Sequence, residues 1–322
     1  MSNKKFVMPP DCQSIPEIFT AADFSRLVER LGATYEDRVG VNLQEAHNLP
    51  GRKEVLEIVG KLLEIIFPGF DDAPRHRDSL NAESAVLLAE LKPALFDQLA
   101  RAMRYGCTKE CCGQCDSRDR AAAAVEKLFN ALPEIRESMK LDVAAAYAGD
   151  PAATSPDEII LSYPCIKAIS IQRLAHVLYH CQTPLIPRLM TEHAHSVTGI
   201  DIHPGAHLGR GVFIDHGTGV VIGETAVIGD SVRIYQGVTL GALSFPKDAC
   251  GMLIKGKKRH PTVGDNVTIY AGATVLGDIT IGANSVIGGN VWLTESLPPG
   301  TKITARPPEH QVRRNGKVRS DP

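Results

Sequence analysis

The 322-residue sequence is poor in aromatics, with Phe, Trp and Tyr making up 5%, too few for a platform on which nucleic-acid bases stack. It has no excess of charge of one sign. Its 35 Lys and Arg stand against 37 Asp and Glu, a formal net of −2, whereas nucleic-acid binders usually carry a clear basic excess. No run of about 18 uninterrupted apolar residues exists, so no membrane span is expected. The opening MSNKKFVMPPDC is positively charged but lacks the apolar stretch of a secretory leader. Absent too are a Walker A loop and a GxGxxG opening a βαβ unit, which removes support for nucleotide and dinucleotide readings. With 43% hydrophobic and 22% charged residues, the composition is that of an ordinary globular protein, and a cytoplasmic enzyme is the expectation.

Two regions of different periodicity meet near residue 200. Before it the spacing is helical: Ile58, Leu62, Ile65 and Ile66, then Val86, Leu87, Leu91 and Leu95. Arg118 to Ala148 is rich in the strong helix formers Ala, Glu, Lys and Leu. Gly149-Asp150-Pro151 interrupts it, with Asp150 placed as a helix N-cap or turn residue. Two further helices are expected over roughly 164–182 and 185–198, with Pro184 and Pro187 between them.

After residue 200 an aliphatic residue recurs every six positions: Ile202, Leu208, Ile214, then Ile222, Ile228, Ile234, Leu240. The period resumes at Val263, Ile269, Val275, Ile281, Ile287 and Leu293. Four residues after nearly every one stands a small or β-branched residue, such as Ala206, Val212, Ala226, Val232 and Ala273. Six residues make one short strand and one turn, and three such units close a triangular coil with the aliphatic side chain inside. Coils stack at about 4.8 Å, and one coil cannot bury its core alone. The thirteen units give roughly four coils. An amphipathic helix cannot hold a strict six-residue period. The fold class is therefore α+β, an N-terminal all-helical domain followed by a left-handed parallel β-helix with a protruding loop.

The period fails twice. Ile214 to Ile222 spans eight residues, so Asp215-His216-Gly217-Thr218-Gly219 bulges from the coil. Leu240 to Val263 spans 23, enough to eject a loop from Gly241 to about Pro261. Loops on a rigid scaffold are the preferred place for chemistry.

The runs Asp201-Ile202-His203-Pro204-Gly205-Ala206, Ile214-Asp215-His216-Gly217-Thr218-Gly219 and Gly223-Glu224-Thr225-Ala226 closely resemble the serine O-acetyltransferase family. So do Val238-Thr239-Leu240-Gly241, Arg259-His260-Pro261 and, upstream, Asp150-Pro151-Ala152. The likeness covers roughly residues 145–295 and is to the long-loop variant of the family. It implies acetyl transfer from acetyl-CoA to the hydroxyl of L-serine, in cysteine biosynthesis. His216 would be the general base and Asp201 its partner, because the attacking hydroxyl needs a base of near-neutral pKa and the imidazolium a carboxylate. Asp150 and Asp215 would engage the amino group of serine, with Arg259 and His260 near its carboxylate. Gly241, Ala242 and Ala271 would approach the pantetheine and thioester, where small side chains permit close contact. The basic run Lys255-Gly256-Lys257-Lys258 suits the phosphates of CoA or simply a solvated loop.

The resemblance further implies a homotrimer, or a dimer of trimers, with active sites between subunits, and cysteine as a feedback inhibitor. Docking into the sulfhydrylase of the pathway relies on a terminal isoleucine. This sequence ends Arg319-Ser320-Asp321-Pro322, so that docking is not expected. No obligatory metal follows from the reaction. Of eight cysteines, Cys107, Cys111, Cys112 and Cys115 fall within nine residues. Their spacing suits a metal or iron–sulfur centre, or plain helix filling. Rival readings keep the β-helix and change the chemistry: another acyl acceptor, or a zinc lyase of the γ-carbonic anhydrase type with His203 and His207 as ligand candidates. The expected organisation is a helical region over 1–145, a helical lead-in over 146–199, the acyltransferase β-helix over 200–295 and a tail over 296–322.

Overall fold

The computed structural model describes residues 20–35, 49–70, 78–105, 116–244, 250–254, 256–306, 313–314 and 317–318. The chain forms two compact units, residues 1–48 and 49–322. The first holds α1 (Ala21–Tyr35). Thr20 and Asp23 cap its start reciprocally: the Thr20 hydroxyl accepts from the Asp23 N–H at 3.2 Å and the Asp23 carboxylate from the Thr20 N–H at 3.0 Å.

The second unit opens with helices α2 (Arg52–Ile66), α3 (Leu80–Tyr105), α4 (Ser117–Gly149), α5 (Pro156–Ser162), α6 (Pro164–His180) and α7 (Ile186–Thr198). The apolar periodicity of α2 buries Ile58, Leu62 and Ile66, and that of α3 buries Leu91 and Leu95. Val86, part of the same pattern, faces solvent. The Ala-rich stretch becomes α4, which passes through residue 145 without a break. Asp150 closes that helix instead of opening one: its N–H donates to Ala146 O at 3.0 Å, and its carboxylate accepts from the Ala152 N–H at 2.8 Å.

Short strands then follow in threes. The first coil is β1 (Asp201–Ile202), β2 (His207–Leu208) and β3 (Phe213–Asp215); the second is β4 (Val221–Ile222), β5 (Val227–Ile228) and β6 (Arg233–Tyr235). The third is β7 (Thr239–Gly241), β8 (Thr262–Val263) and β9 (Thr268–Ile269); the fourth is β10 (Thr274–Leu276), β11 (Thr280–Ile281) and β12 (Val286–Ile287). A fifth holds β13 (Trp292–Leu293) and β14 (Lys302–Ile303). Every third strand stacks in parallel, so the first sheet runs β1-β4-β7-β10-β13, the second β2-β5-β8-β11 and the third β3-β6-β9-β12-β14.

Register aligns the six-residue aliphatics into continuous inner ladders. Ile202, Ile222, Leu240, Val275 and Leu293 are successive partners in the first sheet. All are nearly or fully buried, each contributing about 1.5–3 kcal/mol relative to exposure. The last coil leaves the strict period: Leu297 bridges to Ile281 and Ile303 pairs with Ile287, so nearly five coils form where the period alone gives four. Corners between the second and third sheets turn through left-handed residues, Gly211, Ser231, Asn266, Asn284 and Gly300. Asn adopts that conformation more readily than most non-glycine residues because its short amide bonds locally.

Helices seal the open end of the first coil. Arg173 of α6 pairs with buried Asp142 of α4 at 2.9 Å and donates to the Leu208 and Gly209 carbonyls at 3.2 and 2.6 Å. Asp142 also accepts from the Val212 N–H at 2.8 Å, and Gln172 Nε2 donates to Ala206 O at 2.7 Å. Backbone groups that the next coil would satisfy elsewhere are satisfied here by side chains.

Candidate active site

The first sheet is flanked by two corners, and the polar residues singled out in the sequence collect at them. At the corner from the third sheet to the first, the eight-residue interval is a turn with positive φ at His216 (58°), Gly217 (80°) and Gly219 (78°). A Cβ on Gly217 would come within 2.5 Å of Ile200, so both φ and space require glycine. A non-glycine residue in this region is uncommon, and His is one of the types that adopt it more often than others. The turn throws the His216 side chain outward, 72% exposed, with Nε2 3.8 Å from Asp215 Oδ1.

Asp215 itself is nearly buried, and Asp150 reaches the same corner from the end of α4. The Tyr163 hydroxyl, at the start of α6, donates to the Asp150 carboxylate. This bond, with that from the Ala152 N–H, holds Asp150 below the ordinary carboxylate range, assisted by the charge of His216. Reciprocally it pushes the Tyr163 phenol up to about 12, with further contributions from burial and the charges of Asp150, Glu158 and Asp215. Asp150, Tyr163, Asp215 and His216 thus act on one another at one place. Asp201, half-buried at the start of β1, is tied to the end of the same turn by its N–H to Val220 O at 2.9 Å. Its carboxylate makes no hydrogen bond to His216; the carboxylate beside that ring is Asp215.

The corner from the first sheet to the second is built differently. The ejected loop returns at Arg259-His260, where Thr225 Oγ1 accepts from both backbone N–H groups at 3.0 and 3.1 Å. His260 Nδ1 accepts from the Thr225 N–H at 3.1 Å, which leaves the ring proton on Nε2. Burial, then the charge of Arg259, pushes His260 down to about 4, so it is neutral near pH 7. Gly223 makes this seat, since a Cβ there would lie 2.1 Å from the His260 ring. The Arg259 guanidinium donates to one oxygen of Glu224, whose other oxygen accepts from the Tyr179 hydroxyl at 2.7 Å. Burial opposes the Glu224 charge, but these hydrogen bonds outweigh it and its pKa is lowered. Nearby His203 is also pushed down to about 4 by burial.

The residues expected around the acyl donor divide in the same way. Ala271 stands at the His216 corner, while Gly241 and Ala242 begin the ejected loop at the Arg259 corner. Lys257 is exposed, and Lys255 lies outside the described residues. Cys107, Cys111, Cys112 and Cys115 also lie outside the described residues. Among the described residues no group of three or more His, Cys, Asp or Glu is placed to hold a metal ion, and no helix is long and apolar enough to cross a membrane. Sequence reasoning gave no role to Tyr163, Tyr179, Glu224 or Thr225. Glu224 and Thr225 stood in a quoted motif without one; Tyr163 lies at the junction of α5 and α6 and Tyr179 within α6, and neither carries a signal in the sequence.

The family model of the bacterial transferase hexapeptide (six repeats) matches residues 260–295. A plasmid-encoded serine acetyltransferase of Synechococcus elongatus is 60% identical over 57% of this chain and 58% of its own length. The serine acetyltransferase of Mycobacterium tuberculosis is 49% identical over 53% of this chain and 70% of its own. Among solved structures, Entamoeba histolytica serine acetyltransferase 1 in complex with L-cysteine is 41% identical, with a TM-score of 0.68 over 77% of this chain and 86% of that one. The shared fold is a left-handed parallel β-helix behind a helical region. By site geometry, repeat and relatedness together, the chain belongs to the serine acetyltransferases.

Proposed function

We propose that the chain transfers the acetyl group of acetyl-CoA to the hydroxyl of L-serine, giving O-acetyl-L-serine and CoA. The observation that carries this reading is the division of charge between the two corners. One holds an exposed imidazole among carboxylates, the other a fixed guanidinium beside a neutral imidazole. A zwitterionic amino acid asks for both: Asp150 and Asp215 for its ammonium, Arg259 and His260 for its carboxylate. Its hydroxyl oxygen attacks the thioester carbon while His216 takes the hydroxyl proton, and the imidazolium returns that proton to the departing CoA thiolate. Asp201 is the partner carboxylate in this reading, which requires the exposed imidazole to turn from its place near Asp215. Glu224 holds the Arg259 guanidinium, so the carboxylate subsite is set before substrate arrives.

The first sheet stands between the two corners within one chain, which favours a site shared between chains. A cyclic assembly provides such a site if each chain offers one corner to each neighbour, with the outer face of the first sheet turned inward. That face carries Val221, Thr239, Thr274 and Trp292, the last 69% exposed, an anchor suited to an interface. A homotrimer is therefore part of the proposal, and a dimer of trimers is compatible with it. L-Cysteine, bound by the Entamoeba relative, carries the same ammonium and carboxylate and would compete with serine. A cytoplasmic location, with residues 200–295 carrying the chemistry, completes the reading.

The test is release of CoA thiol from acetyl-CoA across serine, homoserine, threonine and amino sugars. Serine is expected to give the highest kcat/KM. Clear activity on another acceptor without activity on serine would overturn the assignment.

A further inference from the structure

The outward ladder that begins at Asp215 continues along the His216 corner with two aromatics. Asp215 pairs with Tyr235 of the second coil. Tyr270 follows Ile269, the partner of Ile234, and so stands over Tyr235 in the third. Their rings stack with centroids 5.1 Å apart and planes 15° from parallel. Tyr270 is 44% exposed in a chain with only 5% aromatics. The next position of the ladder is Gly288, beside Tyr270 through the Tyr270 N–H to Ile287 O bond of 2.9 Å. It brings no side chain against the ring. The pair therefore presents an apolar face on an otherwise polar corner.

On its other side the corner is closed. Asp150 at the end of α4, Tyr163 at the start of α6 and buried Cys165 pack against β3 of the first coil. The second and third coils, with Tyr235 and Tyr270, leave Asp215 on the side away from those helices, and an acyl donor that meets an acceptor held by Asp150 and Asp215 can run along them. We propose that the Tyr235–Tyr270 stack is a donor subsite, a wall against which the pantetheine arm of the acyl thioester packs. Commitment to the arm, and not the adenine, follows from position, since the stack starts one coil from Asp215 and the arm adjoins the reacting thioester. The inference rests on the acetyl-transfer reading above, but not on which acceptor is used.

Two measurements on the full chain test it. Calorimetric binding of CoA alone reads the subsite without any acceptor, and Tyr270→Ala is expected to weaken it about tenfold, the scale of one well-packed aromatic contact. Tyr270→Phe, which keeps the ring, is expected to bind as the parent does. In turnover, Tyr270→Ala should raise KM for acetyl-CoA and for acetyl-pantetheine by the same factor, leaving KM for serine and kcat within about twofold. Unchanged CoA affinity would overturn the proposal. So would a loss seen with acetyl-CoA but not acetyl-pantetheine, which places the contact at the adenosine end. A change of native mass in Tyr270→Ala would make the stack a contact between subunits and would also overturn it. A parent protein that binds CoA but does not acetylate serine would count against the acceptor assignment alone.

Discussion

The two corners beside the first sheet come from the same repeat and differ in how far they are set in advance. The Arg259 corner is held from several sides: Thr225 fixes the backbone, Glu224 and Tyr179 fix the guanidinium, and Gly223 seats a neutral His260. The His216 corner fixes its carboxylates but leaves the imidazole exposed on a left-handed residue. In the proposed reading the difference has a reason: a binding half gains from rigidity, whereas a base that meets substrate from another chain is left open until that chain arrives.

The comparison breaks most sharply by separating the halves. His216→Ala and Arg259→Ala are each expected to be nearly inactive, the first by about 10³ in kcat while still folding. Mixed and reassembled, they should recover roughly a quarter of the parental rate, because random mixing pairs two intact corners at that fraction of interfaces. Absence of any recovery, measured by thiol release on the mixed oligomer, would place both halves in one chain.

A smaller effect sharpens the account of the Arg259 corner. Glu224→Gln removes the charge that holds the guanidinium and should raise KM for serine about tenfold, with less change in kcat. Equal losses in kcat alone would shift Glu224 from positioning the carboxylate subsite to the reacting atoms.

The smallest effect concerns pH. His203 and His260 both stand at about 4 when folded, through burial first, against an ordinary value of about 6.5. The unfolded chain thus takes up protons below pH 6.5 that the folded chain refuses until near 4. Stability is expected to fall as pH drops through that window and to hold above it. Melting temperatures between pH 7.5 and 4.5 check this, and His260→Asn should flatten the slope. A melting temperature that stays level would remove the depressed imidazoles from the account.

Much of the β-helix was legible because a six-residue period is a direct image of one strand and one turn. Its last coil was not, since Leu297 and Ile303 fall outside the strict interval and are recruited by pairing with Ile281 and Ile287. The two interruptions of the period pointed to His216, Arg259 and His260. Nothing local pointed to Tyr163 or Tyr179, which act only because α6 packs across the end of the first coil. Val86 shows the converse: it fits the helical pattern of α3 yet faces solvent, because periodicity says which residues share a face and not where that face turns.

What the sequence alone determined is the coil, with its inward aliphatics, its corners and the two places where it is broken, because each follows from spacing within a few residues. Only the tertiary structure decided that those breaks lie at opposite ends of one sheet, that Asp150 closes a helix and joins Asp215, and that two tyrosines stack beside them. These are relations between residues far apart in sequence, and stacking of one coil on another fixes them.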